Sequence, residues 1–319
     1  MTSLYQKDDD VIDKNPENYD RLTPLHLAAE GGFLQICELI ISKTEDKNPM
    51  QDGFPAWTPL HFAANNGHLE ICQLIMNNVD EKNPNANWAG EASPYHLAAE
   101  KGHVEVCKLF LETLTDKNPM DNWEKIGTPL HLAIEHGHFE ICQMIISQTT
   151  NKSPSLNGRT PIHIAAKCHD VSIFKLIYEN VKEKNPKQRD EYPYYTPLYI
   201  AATHGNIAMC KMIMENIDEK YPLDKWKYDR NGKVLSMAYT ILQQNVINDN
   251  IEAFEYLLEI LEDKNPENPA TGNNILCYAA YKSHVEIVKL ILEKNQEDEM
   301  TDKIRQNFDR AFSIAVRNR

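Results

Sequence analysis

The sequence predicts an all-α solenoid, a single array of stacked helix–turn–helix units with projecting loops over residues 1–319. Three observations lead there. The tetrapeptide Thr-Pro-Leu-His begins at Thr23, Thr58 and Thr128, with the near-copy Ser93-Pro94-Tyr95-His96 between the last two. The intervals are 58 − 23 = 35, 93 − 58 = 35 and 128 − 93 = 35, and later copies drift to Thr160-Pro161-Ile162-His163 and Thr196-Pro197-Leu198-Tyr199. Cys37, Cys72, Cys107 and Cys142 keep the same step, and each motif is followed by apolar residues at helical spacing. A fixed period of 20 to 50 residues marks one small unit stacked on itself.

The copy from Thr58 to Met76 shows why each residue recurs. Thr58 suits an N-cap, where its hydroxyl accepts from an unpaired backbone N–H. Pro59 falls at the first helical position, where a missing N–H costs nothing. Leu60, Ala63 and Ala64 recur at helical spacing, and the alanines admit a neighbouring helix closely. Gly67 ends this short helix in a conformation that a Cβ resists. A second helix starts near Leu69, with Ile71, Leu74 and Ile75 on its apolar face.

This unit resembles the ankyrin repeat, whose period is about 33 residues and whose signature is Thr-Pro-Leu-His-x-Ala. Copies start near residues 23, 58, 93, 128, 160, 196, 233 and 274, the last two degenerate (Lys233–Tyr239 and Asn274–Ala280). A half-repeat at 300–319 contains the partial copy Arg310–Val316, so the resemblance runs from about Val11 to Arg319. In the degenerate copies Ser236 and Cys277 are expected in the histidine slot, as Tyr199 is in the copy at Thr196. One feature departs from the family. Where ankyrin repeats usually carry Gly after helix two, this chain has Val79, Leu114, Val181, Ile217 or Leu261. Asp-Lys-Asn-Pro then follows at Asp46–Pro49, Asp116–Pro119 and Asp263–Pro266, and Glu-Lys-Asn-Pro at Glu81–Pro84 and Glu183–Pro186. Proline pushes the preceding Asn out of the α region, and lysine is favoured near a helix C-terminus. The motif reads as a helix terminator.

Composition bounds the function. The net charge of −14 disfavours nucleic acid and anionic lipid as partners. No segment approaches the roughly 20 apolar residues of a membrane span. Met1–Asp10 is acidic and polar, unlike a signal peptide. Equivalent positions of stacked helices lie roughly 8–10 Å apart, beyond the roughly 7 Å Cα limit of a disulfide. The cysteine ladder, which Cys210 rejoins two units on, therefore predicts unpaired thiols and an intracellular, cytoplasmic or nuclear location. Cys168 lies off the ladder.

Twelve histidines beside seven cysteines raise the question of zinc. His26, His61, His96, His131 and His163 all fill the fourth place of the motif. A ladder with helix-packing steps cannot bring several ligands within roughly 2.0–2.3 Å of one metal. Local hydrogen bonding that braces the loops is the expected role, with no metal and no cofactor. His68, His103 and His138 follow the turn glycines and are expected to tie the turns down. Gly-His-x-Glu, as in Gly67–Glu70, offers an acid/base pair on paper, but it recurs unit after unit and a catalytic group is needed once. With no phosphate-binding glycine loop and no nucleophile elbow, the chain reads as a non-enzyme.

Function is expected where the copies differ. From the Asn slot to the Thr slot the linking loops vary between 160 − 153 = 7 and 233 − 221 = 12 residues, a cheap variation because closure entropy grows slowly with length. These loops hold Trp57, Trp88, Trp123 and Trp226, with Phe54, Tyr192, Tyr194, Tyr195 and Tyr228, residue types enriched at binding hot spots. Helix-one positions after the alanine pair, expected on a concave face, add Asn65, Asn66, Glu100, Lys101, Glu135, His136, Lys167, Thr203 and His204. The resemblance implies a monomeric protein-interaction scaffold, and the acidic balance a client with a basic segment. The alternatives are the regulatory arm or fragment of a larger enzyme, ubiquitin ligase or channel, or a host-directed effector. Val11–Pro16 reads as the tail of a preceding helix two, and Phe308, Phe312, Ile314 and Val316 as an apolar last layer, which favours a piece of a longer repeat protein or a truncated gene product.

Overall fold

The computed structural model describes residues 17–52, 55–85, 92–121, 125–186, 195–217, 226–228 and 234–295, with backbone alone at 226–228, 234–235 and 295. Contacts group the chain into two compact units, Met1–Asn151 and Lys152–Arg319. The division falls beside the shortest linking loop, where the motif interval drops to 160 − 128 = 32 residues.

In the first unit the motif helices are α1 (Pro24–Glu30), α3 (Pro59–Asn65), α5 (Pro94–Lys101) and α7 (Pro129–Glu135). Each is followed by its second helix: α2 (Leu34–Ile41), α4 (Leu69–Asn78), α6 (Val104–Thr113) and α8 (Phe139–Gln148). Helices α1, α3, α5 and α7 pack in series, as do α2, α4, α6 and α8. The second unit continues the alternation with α9 (Pro161–Lys167), α10 (Val171–Asn180), α11 (Pro197–Thr203) and α12 (Ile207–Met214). A two-stranded antiparallel hairpin follows, β1 (Trp226–Tyr228) and β2 (Val234–Ser236), pairing Trp226 with Ser236. Then come α13 (Met237–Ile247), α14 (Ile251–Ile260), α15 (Ile275–Tyr281) and α16 (Val285–Asn295). The all-α solenoid is present, with this hairpin as the named sheet among the described residues.

The core forms between the layers. Leu60, Ala63 and Ala64 are fully buried, and so are Ile75 and Cys72 of the following helix. Ile71 is buried too, while Leu74 is only half-buried. No disulfide links the described cysteines. Burial raises the ladder thiols, Cys37 to about 11 and Cys72 and Cys210 to about 12, with Cys107 higher still. They fill space as small apolar groups.

The motif histidine has two partners. His26 Nδ1 accepts the Thr23 backbone N–H at 3.0 Å, with the Thr23 hydroxyl 2.9 Å away. The ring proton is therefore on Nε2, which donates to the Trp57 carbonyl of the next repeat at 3.0 Å. His61 and His131 repeat the first bond with Thr58 and Thr128. His96 Nε2 donates to Gly127 O, and His163 Nε2 to Pro186 O and Tyr195 O. The simple N-cap expected of the threonine is thus a reciprocal one: the Thr23 hydroxyl is 3.5 Å from the His26 N–H, and the histidine takes the place glutamate has in a capping box.

The terminator motif holds three bonds at once. Asp46, Glu81, Asp116 and Asp263 accept from the backbone N–H two residues on. The lysine amine turns back onto carbonyls at the end of helix two: Lys47 to Ile41 and Thr44, Lys82 to Met76 and Val79, and Lys117 to Leu111 and Leu114. It is a hydrogen-bonding cap and more than a favourable charge. The asparagine amide oxygen accepts from the second residue of the next motif helix: Asn48 from Leu60, Asn83 from Tyr95, Asn118 from Leu130, Asn185 from Leu198 and Asn265 from Leu276. One tetrapeptide closes a helix and opens the next.

Repeat seven differs from its expected register. Ser236 is the N-cap of α13 and accepts from Tyr239 N at 3.2 Å. Tyr239 therefore holds the histidine slot, three residues beyond the position expected from sequence. Helix α13 has 11 residues where α3 has 7, one extra turn, so β2 runs directly into it. Cys277 does hold the slot of α15, which Asn274 caps.

Two predictions follow from these caps. Replacing Asn118 by Ala leaves the buried Leu130 N–H unpaired and should cost about 1–2 kcal/mol in urea unfolding; Asn118→Asp, which keeps an acceptor oxygen, should lose less. Burial holds His26, His96 and His163 at about 4 and His61 at about 3, partly offset by the carbonyls their Nε2 groups face. These folded values lie below the unfolded 6.5, so stability is complete above about pH 6.5 and declines as pH falls toward 4. At pH 5 the loss should be on the order of 2 kcal/mol each for His61 and His96. A urea midpoint unchanged between pH 7 and pH 5 would contradict neutral buried imidazoles.

Candidate interaction surface

The ladder histidines are committed to the scaffold. Each described Nδ1 faces its own N-cap, and Nε2 of His26, His96 and His163 bonds the following loop. The His61 ring faces the Ala92 and Pro84 carbonyls. Buried and bonded at their N-caps, these rings serve the stack, which leaves recognition to the loops and to the helix-one residues after the alanines.

A second histidine row fixes that helix edge. His68 Nε2 donates to Glu30 O at 3.1 Å, His103 to Asn65 O at 2.8 Å and His138 to Glu100 O at 2.8 Å. These rings therefore tie down the turn of the preceding repeat, 38 residues back. They lie against its glycine. A Cβ on Gly67 (φ +77°) would come 2.5 Å from His103 Nδ1, and one on Gly102 (φ +82°) 2.6 Å from His138 Cε1. Glycine is required there for conformation and for space. In the second unit this slot holds Asp170, Asn206, Asn250 and His284, and Asn206 Nδ2 donates back to Ala166 O at 3.0 Å.

Of the helix-one candidates, Glu135 and Lys101 are exposed, Asn65 and Glu100 half-buried. Lys101 pairs with Glu100 at 2.7 Å. Asn66 is partly spent on the scaffold, its Nδ2 donating to Glu30 O at 2.9 Å. His136 donates from Nδ1 to Leu132 O and stacks on His138 at 6.3 Å. In the second unit Lys167 is exposed, whereas Thr203 and His204 bond their own helix at Tyr199 O and Ile200 O. Glu30 and the apolar series Leu27, Phe62, Leu97 and Leu132 share this helix edge. Their own 35-residue step was the signal in the sequence that marks them.

Among the loop aromatics, Trp57 is half-buried rather than projecting. Its indole stacks on His61 at 6.2 Å and meets Phe62 edge-on at 5.1 Å, while its carbonyl accepts from His26 and from Gln51 N. Tyr195 stacks on Tyr199 at 4.9 Å. Phe54, Trp88, Trp123, Tyr192 and Tyr194 lie outside the described residues. Trp226 and Tyr228 are placed by backbone alone, on β1.

Comparison with known proteins agrees with this architecture. The family model for ankyrin repeats in three copies matches residues 2–87, 25–121, 81–155, 147–222 and 223–303. The chain belongs to the ankyrin-repeat family. Among solved structures it is similar to the crystal structure of the human ASB11 ankyrin repeat domain, with a TM-score of 0.54 and 20% identity over 68% of this chain and 90% of that one. That likeness is one of fold. No curated protein matches the chain by sequence. Among the described residues no helix is long and apolar enough to cross a membrane.

Substituting Gly102 by Ala should destabilise the fold by about 1–3 kcal/mol. Part of that loss should disappear in Gly102→Ala with His138→Ala, because the Cβ no longer meets a ring. Additive losses in urea unfolding would show that backbone conformation alone accounts for the cost.

Proposed function

We propose that this chain is a non-enzymatic scaffold that binds a protein client through its helix-one edge and the adjoining loops. One observation carries the reading. At a fixed 35-residue step the caps, alanines and turn histidines repeat, while the edge pair that follows changes from Asn65-Asn66 to Glu100-Lys101 to Glu135-His136. A surface free to vary on an unvarying support is what recognition needs. Ankyrin repeats are generally protein-interaction modules, and the acidic balance of −14 favours a client with positive charge. Because the support is prefolded, binding orders little chain.

The loop aromatics Phe54, Trp88, Trp123, Tyr192, Tyr194, Trp226 and Tyr228 are proposed as additional contacts. The half-buried Trp57 contributes its exposed edge only, so its truncation is a poor test of binding. The protein is further proposed to act as a monomer and in a reducing compartment, and the buried thiol ladder supports the second point.

The test uses Asn65→Arg combined with Glu135→Arg, which changes bulk and sign at two accessible positions. A client captured by the wild type and then purified should bind this variant at least about tenfold more weakly, with an unchanged thermal midpoint. Equal binding by the folded variant would remove the helix-one edge from the proposal.

A further inference from the structure

The first unit carries two parallel rows with a common step. Three residues before each polar edge position stands an apolar one, giving Leu27, Phe62, Leu97 and Leu132 beside Glu30, Asn65, Glu100 and Glu135. Positions i and i+3 share a helix face. Leu27 is 44% exposed and Phe62 half-buried, whereas Leu97 and Leu132 are buried. Among the described residues Glu100 has a cation neighbour, Lys101, and both Glu30 and Glu135 are exposed. In the second unit the corresponding positions are Lys167 and Thr203, so the acidic row belongs to the first unit.

The step between rows selects a backbone for the ligand. Packed helices lie roughly 8–10 Å apart. A polyproline-II chain advances about 3.1 Å per residue with three residues per turn, so every third side chain points the same way about 9 Å further on. A β-strand alternates faces with period two, which sends every third residue to the opposite side. An α-helix reaches the same spacing only about every seventh residue. Only the polyproline-II form offers one side chain per repeat from a short segment.

We propose that the first unit binds a proline-rich basic segment in polyproline-II form, with arginine or lysine at every third position. Successive cations meet Glu30, Glu100 and Glu135, with the Asn65 amide taking the intervening place. Proline rings between them lie on Leu27, on Phe62 and on the exposed edge of Trp57, the apolar and aromatic setting such segments favour. Arginine is preferred because its planar fork engages a carboxylate with two bonds. The proposal rests on the reading of this edge as a protein-binding surface and adds the client's conformation, charge and register.

Fluorescence anisotropy with three labelled peptides tests it. The first is Arg-Pro-Pro repeated four times, the second has the same residues with all four arginines together, and the third is Arg-Gly-Gly repeated four times. The first should bind at least about tenfold tighter than either control. With Glu30→Gln, Glu100→Gln and Glu135→Gln combined, that advantage should vanish while the thermal midpoint holds. Binding of all three peptides within about twofold, or of the first peptide equally to the triple variant, overturns the proposal. If the Asn65→Arg, Glu135→Arg variant still loses its captured client, only the polyproline register falls; if it does not, the interaction-surface reading falls as well.

Discussion

The interaction on which this structure depends is the hydrogen bond that leaves one repeat and ends in the next. A single helix pair of this size has too little apolar surface to offset its own conformational entropy. Stacking supplies the missing burial, but apolar contact alone does not fix register. The neutral imidazole of His26 does, because its two nitrogens have opposite roles: one accepts from its own N-cap, the other donates to Trp57 O. Both bonds exist together only when neighbouring units sit in one relative position.

Two further bonds cross between repeats, and a third closes a helix end within one. The Asn48 amide opens the helix of the next unit at Leu60, and His68 reaches back to Glu30 O. Lys47 closes helix two by covering carbonyls that the family's usual glycine would leave to a left-handed turn. Each replaces water at a helix end with a partner built into the chain. Because burial keeps the imidazoles neutral, the scaffold uses hydrogen-bond direction in place of charge. Charge remains at the accessible edge, in Glu30, Lys101 and Glu135. The separation allows edge residues to change without altering the bonds that hold the stack.

The irregular places have local causes. Repeat seven keeps its turn and second helix but adds a turn to α13, and the hairpin of β1 and β2 leads straight into it. Asn250 and Asn245 stand there where histidine and alanine stand in the first unit, with Asn250 close against Gly205. Asn206 and Asn245 also donate backward, to Ala166 O and Ala202 O, one motif position before the carbonyl that the histidines reach.

Most of the fold was legible in the sequence because the code is local and repeated. Thr-Pro-Leu-His, the paired alanines, the turn glycine and the 35-residue step determine the helix pairs and their stacking wherever they recur. The expectation that histidines brace loops also follows from that recurrence. What the tertiary structure alone decided is which partner each group reaches: His26 to the following repeat, His68 to the preceding one, Asn48 to a helix start 12 residues on. Periodicity says that a contact repeats but not across which boundary it is made. The same reason explains Trp57, whose residue type signals recognition while its stacking on His61 and Phe62 makes it part of the support. It also explains Ser236, which motif likeness puts in the histidine slot while the structure makes it an N-cap that accepts from Tyr239 N.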